Sequence, residues 1–127
     1  MALKSDLFRG DPKLEAAAVS NPSHITPGSA GEHVGRIQTA LIRLDGAVIA
    51  GAERAARRYG STTADAVLRY KQKRGVVNRS YQSQADNIVG IMTMAALDEE
   101  CCAWERDHRI EVESSLCTLV DKYRKPT

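Results

Sequence analysis

The sequence predicts an all-α protein, a small three-helix bundle with two pseudo-repeats and additional helical segments at its N- and C-terminal ends. Three observations carry this. Val34, Ile37, Leu41 and Leu44 fall at i, i+3, i+7 and i+10, an apolar stripe of helical period. Hydrophobic residues make up 43% of the 127 positions but aromatics only 5%, so the core is aliphatic and alanine-rich, which suits helices packed closely on one another. A glycine turn is also written twice. Tyr59-Gly60-Ser61-Thr62-Thr63 leads into Ala66-Val67, and Val89-Gly90-Ile91-Met92-Thr93 leads into Ala96-Leu97.

Each element has a local reason. Asp11 is a good N-cap, and Pro12 suits the first position of a short helix through Ala18. The stretch VSNPSHITPGSAG is turn chemistry and separates an N-terminal arm, residues 1–24, from the main body. A helix is expected over Glu32–Leu44, closed by Asp45-Gly46 with glycine as a left-handed cap. AVIAGAERAARR reads as a loop followed by a short helix over Ala52–Arg58. The first glycine turn then starts a helix to about Gly75, with Thr62 and Asp65 spaced as a capping box and Ala66, Val67 and Tyr70 inward. NRSYQSQADN is a polar loop. The second glycine turn starts a helix with Ala96, Leu97, Cys101 and Trp104 on one side, and a last amphipathic helix is expected over Glu111–Tyr123. Both turns are expected to need glycine's backbone freedom.

Net charge is only +2, but eight basic side chains lie between Arg54 and Arg79, opposed there by Asp65 alone. This is either an electrostatic footprint or a set of solvated helix faces. Recognition spacing for nucleic acid is not evident, so nucleic acid is an unfavoured partner. Cys101, Cys102 and Cys117 are an odd number with no CxxC, which points to reduced buried thiols rather than disulfides or a metal site. His24, His33 and His108 read as surface residues, with no nucleophilic or metal constellation around them. No catalytic residue, metal or cofactor is expected. MALKSDLFRGDPK lacks the apolar core of a signal peptide, and no apolar run is long enough to span a bilayer. The expectation is a protein made in the cytoplasm that acts there, or in the periplasm after non-classical delivery.

Taken in order, the motifs Gly28-Ser29-x-Gly31-x-x-Val34-x-x-Ile37-Gln38-x-x-Leu41-x-x-Leu44, Tyr59-Gly60-x-x-Thr63-x-x-Ala66-Val67-x-x-Tyr70 and Asp86-x-Ile88-Val89-Gly90-x-x-Thr93-x-x-Ala96-Leu97 resemble a known family. It is the peptidoglycan-binding domain found beside bacterial cell-wall hydrolases and in phage lysins. The resemblance covers residues 25–97 and leaves residues 98–127 as a C-terminal helical extension. It implies a non-catalytic three-helix module that binds the peptide part of peptidoglycan and targets a protein or assembly to the wall. The N-terminal LFRGDPKLEAAA also looks like the lead-in to such domains in proteins of secretion or injection machinery. The family usually places Asp-Gly ahead of each turn. Here the second turn keeps Asp86 and has Asn87, whose side chain tolerates the left-handed conformation, while the first has Ala56 and Arg57. Lys71 stands where the family usually has glutamine.

Muropeptides carry free carboxylates, which arginine's planar fork suits. The candidate ligand-binding residues are therefore Arg57, Arg58, Tyr59 and Ser61 at the first turn, with Asp86 and Asn87 at the second. Tyr59 is open to a second reading as a core residue. The alternative function is an adaptor or assembly protein of a secretion, injection or phage system, with a protein partner or a homodimer formed through the C-terminal helix, where Trp104, Leu116, Leu119 and Tyr123 offer anchors.

Overall fold

The computed structural model describes residues 3–76 and 86–108. Among these residues the protein is all-α, with five α-helices: α1 Pro12–Ala17, α2 Glu32–Asp45, α3 Gly51–Ala56, α4 Ser61–Arg74 and α5 Ile91–Asp107. A 3-10 turn covers Asn21–Ser23. Among the described residues the extended pairing is two isolated bridges, Ile25 with Val89 and Ala30 with Arg58. Most of the expected polar loop and all of the helix expected over Glu111–Tyr123 lie outside the described residues, as does Cys117.

The expected caps form where the chemistry is local. The Asp11 carboxylate accepts from the backbone N–H groups of Lys13 and Leu14, satisfying donors that no helical carbonyl reaches. Gly46 and Gly75 close α2 and α4 in left-handed conformation, at φ 63° and 65°, which glycine adopts without steric cost. The stripe on α2 buries Val34, Ile37 and Leu41 against Val67 and Tyr70 of α4 and Met94, Leu97 and Cys101 of α5. Each fully buried Leu or Ile contributes about 1.5–3 kcal/mol.

The segment read as an arm belongs to this core. Phe8 and Leu14 are fully buried. Asp98 of α5 accepts from the backbone N–H groups of Lys4 and Ser5, and Glu105, about two turns further on, accepts from those of Asp6 and Leu7. α5 runs without interruption through position 97 to Asp107, so the boundary drawn there falls inside a helix. Arg74, the last residue of α4, ties that helix to the end of α2 and the middle of α5. It bonds Asp45 on α2 and Glu100 on α5, and its guanidinium lies 3.8 Å from the centre of the Tyr70 ring, whose hydroxyl donates to Glu100.

The capping box is a correction. The N-cap of α4 is Gly60, not Thr62, and no side chain of α4 caps it. The glycine argument is corrected too. Gly60 (φ −98°, ψ −164°) and Gly90 (φ −108°, ψ −161°) are ordinary extended residues, so neither turn uses glycine's special dihedral range.

Candidate functional site

The two glycine turns flank one short segment, residues 25–31. Val89 exchanges both backbone hydrogen bonds with Ile25, at 2.8 Å each. On the other side Tyr59 donates its N–H to Ser29 and accepts from Gly28, and Gly31 donates to Arg57. The Tyr59 hydroxyl joins the turns directly by donating to the Asn87 carbonyl. Behind the first turn stands Glu53 of α3, only 5% exposed. Its carboxylate accepts from the backbone N–H groups of Gly60, Thr62 and Thr63 and from the Thr62 and Thr63 hydroxyls. Burial alone would raise its pKa, but these donors outweigh burial and hold it at about 2. Gln38 of α2 completes the arrangement by donating to the carbonyl of Arg58 and the hydroxyl of Thr63.

The expected ligand residues do not form one surface. Tyr59 is 1% exposed; it is a core residue with its hydroxyl engaged, so it offers no face to a ligand. Burial, then the nearby Asp86 charge, raise its pKa. Asp86 pairs with the buried Lys71 and accepts the Ile88 N–H at 3.1 Å. Asn87 is half-buried and outside the left-handed region, so the conformational allowance expected of it is not used. Arg57, Arg58 and Ser61 are exposed. Of the six, Arg57 is the one in a left-handed conformation, at φ 51°, and it is the one non-glycine residue with positive φ among the described residues.

Arg57 lines a groove of about 600 Å³ between α2 and α3, with Glu32, Gly35, Arg36, Gln38 and Arg54 among its walls. Gly35 is its floor. A β-carbon there would sit 3.1 Å from Cγ and 3.2 Å from Cδ of Arg57, so the arginine stem lies directly on the α2 backbone. Arg36 is committed to the Leu7 carbonyl, Glu32 and Asp11. Arg54 and Arg57 have no ion pair among the described residues. Both line this groove, Arg54 from the last turn of α3 and Arg57 from its C-cap.

Sequence reasoning missed Arg54, Gly35 and Glu53. A glycine inside an otherwise regular helix was the legible signal for Gly35, and Arg54 stood in the basic run. That run is taken apart by the fold. Lys71 is buried on Asp86 and the Ile88 carbonyl, and Arg74 on Asp45 and Glu100, leaving no continuous cationic stripe of all these residues. His33 is a further correction. It is 6% exposed rather than a surface residue; burial lowers its pKa, Lys13 adds to this and Asp11 opposes it.

A second groove, of about 760 Å³, runs between the N-terminal segment and α5, past Trp104. His108 stacks on Trp104 at 4.0 Å, and the Arg43 guanidinium lies 4.5 Å from the indole centre. Cys101 and Cys102 are free thiols. Burial first, then the charge of Glu105, pushes the Cys101 thiol up to about 12, so it is unreactive at neutral pH. Among the described residues no group of three His, Cys, Asp or Glu is placed to hold a metal, and no helix is long and apolar enough to cross a membrane. No protein-family model, curated protein or solved structure matches the chain.

Proposed function

We propose that this chain is a non-catalytic peptidoglycan-binding module, a three-helix bundle with two pseudo-repeats that brings a protein or assembly to the bacterial cell wall. The groove between α2 and α3 is its ligand site. The observation that carries the reading is the backbone of Arg57. The resemblance expects glycine at this position, and the chain is left-handed there at φ 51° although the side chain is arginine. The pseudo-repeat is supported by the near-equal dihedral angles at Gly60 and Gly90 and by the burial of Thr63 and Thr93 three residues after each. Arg54 and Arg57 supply the donors that muropeptide carboxylates require.

Sedimentation with insoluble peptidoglycan sacculi tests the proposal. Wild type is expected in the pellet, and the double variant Arg54→Gln/Arg57→Gln is expected to stay largely in solution. Pelleting of both keeps the function and removes this groove as its site. Wild type remaining in the supernatant removes the function.

A further inference from the structure

We propose that the α2–α3 groove selects a free carboxylate of the stem peptide over the corresponding carboxamide, read by Arg57 and Arg54, so that amidation of the stem closes the wall to this module. The inference rests on the wall-binding reading and adds a selectivity to it. Three local choices, each unfavourable by itself, converge on one point. Arg57 holds a left-handed backbone that glycine would take without strain. Gly35 stands in the first turn of α2, where alanine would be the better helix former, and the space it leaves is filled by the Arg57 stem. Arg54 and Arg57 bring two like charges to one groove with no ion pair among the described residues. The common result is two uncommitted guanidiniums on one wall, beside a third, that of Arg36, already held by Glu32 and Asp11. An anion between Arg54 and Arg57 removes their repulsion and takes the planar, paired donors. A carboxamide offers one oxygen, no charge, and an amino group that faces donors.

The ligand is a small carboxylate rather than a phosphate backbone. Nucleic-acid binding needs many phosphates neutralised together. Of the four basic residues on α4, Lys71 and Arg74 are spent on internal acids.

The test is calorimetric titration of the full chain at low salt with a soluble stem tripeptide, L-alanyl-γ-D-glutamyl-diaminopimelate, and with its fully amidated twin. Sacculus sedimentation is run in parallel. The free acid is expected to bind about tenfold tighter or more, the discrimination a charged hydrogen bond provides. Arg57→Gly, which suits the observed backbone and removes the guanidinium, is expected to bring the two peptides to near-equal affinity. Gly35→Ala keeps the charge but displaces the stem, and is expected to reduce the ratio severalfold. Equal affinity of wild type for both peptides, or binding of neither, overturns the selectivity even where sacculi are still pelleted. Tighter binding of a DNA oligonucleotide than of the free-acid peptide also overturns it. Discrimination without sedimentation supports the carboxylate site and removes the wall as its source.

Discussion

The turn before α4 and the turn before α5 share their backbone geometry, yet a buried anion holds the first and a buried cation the second. At Gly60 the Glu53 carboxylate collects the N–H groups that begin the helix, together with two hydroxyls. At Gly90 no side chain among the described residues caps the helix. The approach to it is fixed from α4 instead, by Lys71 donating to Asp86 and to the Ile88 carbonyl. The glycines differ accordingly. A β-carbon at Gly60 would lie 2.6 Å from Cδ and 2.8 Å from Oε1 of Glu53, whereas at Gly90 it would meet nothing within 4 Å. The same written motif therefore serves two purposes. Gly60 makes room for a carboxylate; Gly90 does not.

The largest effect is expected from removing the anion. Glu53→Ala leaves three backbone donors and two hydroxyls without a charged acceptor, and costs on the order of 3–4 kcal/mol by urea denaturation. The pH dependence sharpens this. The folded-state pKa of about 2 lies below the ordinary 4.5, so folding favours the charged form. The stabilisation is complete above about pH 4.5 and is lost as pH falls through about 2. Wild type and Glu53→Gln are expected to converge in stability on acidification across this window. Parallel curves would show that the carboxylate charge is irrelevant to the turn.

Gly60→Ala comes next, at about 2–3 kcal/mol, because the neighbour that must move is the buried carboxyl itself rather than the tip of a flexible chain. Breaking the second turn is milder. Lys71→Met retains the stem's packing and leaves Asp86 with a side chain one-third exposed, so water replaces much of what the lysine gave. The expected loss is about 1 kcal/mol. A loss as large as that of Glu53→Ala would abolish the asymmetry.

What was legible in the sequence follows the range of each interaction. Asp11 and Gly46 were readable because a cap is decided within a few residues of the chain. The apolar stripe on α2 was readable because helical period shows in one dimension. Glu53 was not readable. It caps a helix in another element, so its role exists only once α3 has folded back on the turn, and Thr62 with Asp65 offered a nearer and mistaken cap. The basic run misled for the same reason: Asp45 and Glu100, which neutralise Arg74, come from α2 and α5. At the candidate site, Arg57 was named, and of the two readings open for Tyr59 the core one holds. An aromatic beside a turn looks alike in sequence whether it faces a ligand or the core, and here its hydroxyl spans to Asn87. Arg54 and Gly35 emerged only when the groove brought them beside Arg57.

The smallest effect is the most discriminating. Gly90 has an extended backbone with no steric neighbour, so Gly90→Ala requires neither a new dihedral nor a displaced atom. Alanine also restricts the unfolded chain more than glycine does, which favours folding where the native backbone accepts it. Poorer N-capping by alanine works the other way by about 0.5–1 kcal/mol. The two nearly cancel, and Gly90→Ala is expected within about 0.5 kcal/mol of wild type by the same denaturation measurement that registers Gly60→Ala. A loss of 2 kcal/mol or more would mean that the second turn depends on its glycine as the first does, and that the repeat is one of physical demand as well as of spelling.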